Sequence, residues 1–87
     1  MPTHALKTVN PWFKDVVEGK KTFEVRKNDR NFKPGDKLLL QEYDEDKKMY
    51  TGEEWEGRIT YIMNEESGFT KKGYVIFGIE ENGIRSN

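Results

Sequence analysis

Gly19-Lys20-Lys21-Thr22-Phe23-Glu24-Val25-Arg26-Lys27-Asn28-Asp29-Arg30, continued by Asn31-Phe32-Lys33-Pro34-Gly35-Asp36, is the segment around which the rest of the chain is arranged. Side chains alternate across a strand, so Phe23 and Val25 share one face while Thr22, Glu24 and Arg26 share the other. The apolar pair is expected to anchor the strand in a core. The Glu24 carboxylate and the Arg26 guanidinium then stand about 7 Å apart on the opposite face. Lys21 sits at the turn before the strand, and Asn28, Asp29 and Arg30 crowd the loop after it. Lys33-Pro34-Gly35-Asp36 fits a type II turn, with proline at its second position and glycine at its third.

Upstream, His4, Leu6 and Thr8 alternate with Ala5, Lys7 and Val9, which predicts a first strand over residues 4–9. Asn10-Pro11 is a helix-start signal, and Trp12, Phe13, Val16 and Val17 form one apolar face at helical spacing. Gly19 supplies the left-handed residue that ends such a helix. A helix this short is unstable alone, so all four apolar residues are expected to dock on a sheet. Downstream, Lys37 to Tyr43 reads as a strand whose Leu38-Leu39-Leu40 run suggests burial on both faces. Asp44 to Lys48 is a charged connection, and Tyr50-Thr51-Gly52 a tight turn or bulge. Trp55, Gly57, Ile59, Tyr61 and Met63 alternate with Glu56, Arg58, Thr60 and Ile62 as another strand. Asn64 to Gly73 is a polar loop, and Tyr74 to Ile79 the last strand. Several short strands, one early helix and no βαβ alternation predict a mixed α/β, mainly β fold: a small barrel with one short N-terminal helix.

With 87 residues the chain makes one domain, residues 1–87, with 80–87 as a loosely held tail. Hydrophobic residues make up 33% and charged residues 36%, so the core is small, and aromatic residues at 13% must supply much of the buried area. There is no cysteine, which excludes disulfides and thiolate metal sites. No apolar run approaches the ~20 residues of a membrane span, so a cytoplasmic protein without membrane contact is expected. Net charge is -1, against a nucleic-acid-coating protein. The charge is polarised, however: residues 1–37 hold nine Lys and Arg against five Asp and Glu, net +4, and residues 38–87 hold six against eleven, net -5. A local basic surface around the opening stretch is allowed by that polarity.

From residue types alone, Lys21, Glu24 and Arg26 form either a polar ligand cleft or an exposed ion pair worth about 0–1 kcal/mol. Asp29 and Gly35-Asp36 read as turn chemistry. Asn28, Arg30 and Lys7 are further candidates for ligand contact. Trp12 and Trp55 are candidate stacking surfaces, with core or rim packing favoured, and Phe13 belongs to the core. His4 is the sole histidine, and joining it to Glu24 or Asp29 makes too thin a ligand set for a metal, so neither metal nor cofactor is expected. Neither a Ser-His-Asp arrangement nor a glycine-rich phosphate loop is present.

The spacing Gly19-x-Lys21-x-x-Glu24-x-Arg26 resembles the motif of ASCH domains, a branch of the PUA-like β-barrel superfamily. His4-Ala5-Leu6-Lys7, Pro11-Trp12-Phe13, Asn28 to Phe32, Gly35-Asp36 and Tyr50-Thr51-Gly52 resemble small stand-alone bacterial and phage members of unknown function. The resemblance implies a PUA-like barrel and a non-catalytic module that binds RNA or a nucleotide. Its cleft would be lined by Lys21, Glu24, Arg26, Asn28, Arg30 and Lys7. Arg26 would hold a phosphate or base edge, and Glu24 would accept from an exocyclic amine. One enzymatic branch implies an alternative, a small amidohydrolase of N4-acetylcytidine. Its lysine falls on Lys21, but its threonine nucleophile falls where this chain has Glu24, and a carboxylate does not replace a hydroxyl without changing the mechanism. A protein-interaction module using the acidic second half is a third class, with no motif behind it.

Overall fold

A computed structural model describes residues 2–82. Five strands and one helix follow in the order β1 (Thr3–Thr8), α1 (Trp12–Val17), β2 (Phe23–Lys27), β3 (Lys37–Asp44), β4 (Met49–Met63) and β5 (Tyr74–Glu81), with a 3-10 turn at Glu65–Ser67. They form one curled sheet in the order β1-β3-β4-β5-β2. Only β1 and β3 run parallel, and the other neighbours are antiparallel. The result is a mainly β half-barrel with one short helix. Its core of Leu6, Leu38, Leu40, Trp55, Ile59, Val75, Phe77 and Ile79 from the strands is completed by Phe13, Val16 and Phe32.

β1 follows its alternation, with His4, Leu6 and Thr8 inside. In α1, Phe13 and Val16 are buried, but Trp12 and Val17 remain about half exposed, so the docked stripe is narrower than the four-residue face expected. Asn10 caps the helix from one residue further out: its side-chain oxygen accepts from the Lys14 N–H at 3.0 Å. Gly19, at φ +79°, ends the helical turn. The Lys33–Asp36 turn forms as its residues dictate, with Gly35 at φ +91° and the Asp36 N–H donating to the Lys33 carbonyl at 3.1 Å.

The expectation for β2 is inverted. Phe23 and Val25 are 46% and 51% exposed, whereas Glu24 is 3% exposed. The pair expected to anchor the core faces outward, and the carboxylate faces the interior. Leu39 is only half-buried on the outer face of β3, so that run is not covered on both sides.

β4 is longer than expected, because Tyr50 to Gly52 belong to it as a bulge rather than ending it. Between the pairs Gln41–Glu54 and Tyr43–Tyr50, β4 carries two residues more than β3. A second irregularity at Thr60 shifts the register against β5, so Tyr61 turns out to 68% exposure and Ile62 packs inward instead. Gly57 is required by close approach: a Cβ there would strike the Trp55 ring and the Glu80 carbonyl. β5 runs on to Glu81, with Glu80 paired to Arg58, so the expected tail does not begin at residue 80. The remainder of that tail, 83–87, lies outside the described residues.

Candidate functional site

The two edges of the half-barrel, β1 and β2, share no backbone ladder. Side chains cross the seam between them instead. Arg26 donates through Nη1 to the Lys7 carbonyl at 3.1 Å and through Nη2 to the Thr8 hydroxyl at 3.0 Å. Arg30 donates to the Ala5 carbonyl at 2.9 Å. Each arginine thus satisfies a strand-edge acceptor that lacks a partner strand.

Glu24 lies at the centre of this arrangement. Its Oε1 accepts from Arg26 Nε at 2.9 Å, and Arg26 Nη2 lies 2.8 Å away. Its Oε2 accepts from Lys21 Nζ at 2.5 Å. Lys21 also donates to the Phe23 carbonyl at 2.8 Å. A carboxylate this deeply buried is tolerated only when paired and hydrogen-bonded, and both oxygens are. Two cations sharing one carboxylate leave a net +1 on the cluster.

Lys21 is delivered by the end of α1. The Asp15 carbonyl accepts the N–H groups of both Lys20 and Lys21, at 2.9 and 3.0 Å, folding the chain after Gly19 back along the helix. Lys20 pairs with Glu18 at 3.0 Å; that hydrogen bond, and then the Glu18 charge, raises the Lys20 pKa above its ordinary value.

Above the Glu24 cluster, between α1 and the ends of β1 and β2, an open hollow of about 630 Å³ is lined by Lys7, Thr8, Trp12, Lys20, Lys21, Phe23, Glu24 and Arg26, among others. Of the residues proposed from sequence, Lys7, Lys21, Glu24 and Arg26 therefore meet at one hollow. Asn28 and Arg30 do not line it. Asn28 Oδ1 accepts from the Phe32 N–H at 3.3 Å, and the Asn28 N–H donates to the Gly73 carbonyl at 2.8 Å. Arg30 is spent on the seam.

Sequence reasoning passed over Thr8 and Lys20, and for Trp12 it weighed stacking but favoured core or rim packing. The signals were present in part: Thr8 shares the inner face of β1 with His4 and Leu6, and Lys20 directly follows the helix-ending glycine.

Asp36, read as turn chemistry alone, is 1% exposed and accepts from His4 Nε2 at 2.8 Å and from the Lys33 N–H at 3.1 Å. The pair ties β1 to the proline-glycine turn. No cluster of three or more His, Cys, Asp or Glu able to hold a metal occurs among the described residues, and none of their helices is long and apolar enough to cross a membrane.

The family model described as a domain of unknown function, DUF3850, matches residues 3–79, which take in β1 to β4, most of β5, α1 and the lining of the hollow. The chain belongs to the DUF3850 family. The DUF3850 chain is also similar to an uncharacterized 12.9 kDa protein in the GpA 3′ region of Escherichia phage P2, at 44% identity over 61 residues. That match takes in 70% of this chain and spans about half, 54%, of the phage protein's length.

Proposed function

We propose that this chain is a non-catalytic module that binds RNA or a nucleotide in the hollow beside Glu24, and that its curled sheet is a small PUA-like barrel of the ASCH type. One observation carries the reading. Exposed aromatic surface, Trp12 and Phe23, and two basic residues, Lys20 and Lys21, line a single concavity whose floor is a cation-rich buried cluster. Aromatic faces beside positive charge suit a nucleobase and its phosphate, because every base offers a π-face and every phosphate a negative charge. Arg26 serves this reading as part of the floor, since most of its donors are engaged by Glu24, Thr8 and the Lys7 carbonyl. The ligand-facing groups are then Lys20, Lys21 and Trp12.

Tryptophan emission supplies the test. Trp12 is half exposed in the hollow and Trp55 only 6% exposed, so a stacked base is expected to quench Trp12. Titration with nucleotides and single-stranded RNA at low ionic strength should give saturable quenching that disappears in Trp12→Phe. Absence of binding to either ligand at low salt would sink the reading.

The contact between Lys21 and Glu24 at the edge of the hollow is what favours the rival, an amidohydrolase of N4-acetylcytidine or a related nucleoside. Against it, Lys21 is tied by hydrogen bonds to Glu24 and to the Phe23 carbonyl, which hold its nitrogen on the protein rather than toward a substrate. Turnover of acetylated cytidine above that of a Lys21→Ala control would establish the rival; none would remove it.

A further inference from the structure

The outer face of the sheet carries an apolar patch that continues past Phe23, away from the hollow. Along β5, Tyr74, Ile76, Gly78 and Glu80 turn outward while Val75, Phe77 and Ile79 are buried. Each outward position shares a rung with its neighbours across the sheet. Gly78 lies between Tyr61 of β4 and Phe23 of β2, and Ile76 between Met63 and Val25. Tyr61 is 68% exposed, Val25 51% and Phe23 46%, so two adjacent rungs present an uncharged surface to solvent. The irregularity at Thr60 creates the patch, because it places Tyr61 beside Gly78 on this face. Beyond it the outward residues are polar: Lys37 and Gln41 on β3, Glu54 and Glu56 on β4.

We infer that this face packs on the same face of a second copy of the chain, about a twofold axis that crosses the strands between the two apolar rungs. Shape is the first reason. The rung of Tyr61, Gly78 and Phe23 has a notch at its centre, where a glycine stands between two aromatic residues. The rung of Met63, Ile76 and Val25 has a branched side chain in the same column. Such an axis sets Ile76 of each copy over Gly78 of the other and fills both notches. The notch is built in, because a Cβ on Gly78 would come within 2.7 Å of the Thr60 hydroxyl.

Charge is the second reason. One end of the β5 row is basic: Tyr74 pairs with Lys27, and the Lys71 ammonium lies 6.0 Å from the centroid of the Tyr74 ring. The other end carries Glu80, whose Oε1 takes both hydrogen bonds from Arg58 and whose Oε2 has no donor among the described residues. The same axis brings Glu80 of one copy to Tyr74 and Lys71 of the other. An axis along β5 would instead oppose Glu80 to Glu80 and Gly78 to Gly78, setting like charges together over a void. Three strands by four rungs cover roughly 15 Å by 20 Å, well under the ~800 Å² per partner of a stable interface. The dimer is therefore weak, with a Kd on the order of 10–100 µM.

Sedimentation velocity of the full chain at low salt, from about 10 µM to about 1 mM, spans that range. The mass is expected to rise with concentration toward twice that of the monomer. Tyr61→Lys should raise the dissociation constant about tenfold or more. It should leave the melting temperature unchanged, since the side chain it replaces is exposed. Lys71→Glu should weaken association about threefold, and adding Glu80→Lys to it should restore the parent value, because the facing charges are then exchanged. A monomer at every concentration overturns the inference and leaves the face to a different partner. Association that Tyr61→Lys does not weaken overturns it as well. A double variant no tighter than Lys71→Glu alone overturns the twofold placement on which it rests.

Discussion

Glu24 is the residue around which the site is built, and its burial sets what its neighbours must do. An interior carboxylate stripped of a cation loses an attraction that offset its desolvation, a loss of about 3–5 kcal/mol for a fully broken buried pair. Lys21 would still hold one oxygen after loss of Arg26, so Arg26→Ala is expected to cost about 2–4 kcal/mol in chemical denaturation. Arg26→Lys should recover little, because an ammonium cannot reach Glu24, Thr8 and the Lys7 carbonyl together. If Arg26→Ala were as stable as the parent, the buried cluster would not be supporting the fold.

Elements here are held by polar contacts at their ends as much as by apolar faces. Glu42 on β3 shows this: it accepts from the Thr51 hydroxyl of β4 at 2.7 Å and from the Asn10 amide before α1 at 2.5 Å. The Thr51 hydrogen bond first, and the Asn10 one second, hold its carboxyl below the ordinary value of 4.5, with the Lys14 charge helping and partial burial and Asp44 opposing. A carboxyl whose folded pKa is depressed contributes stability at neutral pH that is lost as pH falls through that depressed value. Stability followed from neutral pH to about pH 3 should therefore fall more steeply for the parent than for Glu42→Gln, the two curves converging at the acid end. Parallel curves would show that these contacts contribute nothing to folding.

At the scale of the whole molecule, the open seam is the distinguishing feature. A closed barrel joins its first and last strands by a ladder; this sheet ends at β1 and β2 and joins them through two arginine side chains. Arg26→Ala combined with Arg30→Ala should free the β1 edge, seen as faster amide hydrogen exchange in Thr3–Thr8 than in β4 or β5. The double loss of stability should exceed the sum of the single losses, because the two side chains hold the same pair of edges. Uniform exchange across all strands would mean that β1 is held by β3 alone.

Periodicity and turn residues determined much of this protein: the inner face of β1 from His4, Leu6 and Thr8, the helix end at Gly19, the Pro34-Gly35 turn, and the mainly β class with one early helix. The motif spacing likewise put Lys21, Glu24 and Arg26 within reach of one another, and they are in contact. What alternation cannot supply is its own sign, since a period of two says which residues share a face and not which face is inside. Only the tertiary structure decided that Glu24 points in and Phe23 and Val25 point out. The reason is long-range: β2 is an edge strand, and its carboxylate is stabilised inside by Lys21 from the end of α1 and by Arg26 braced on β1. The bulge at Thr60, which turns Tyr61 outward and Ile62 inward, and the hollow that gathers Lys7, Trp12 and Lys21, arise in the same way from contacts between distant segments.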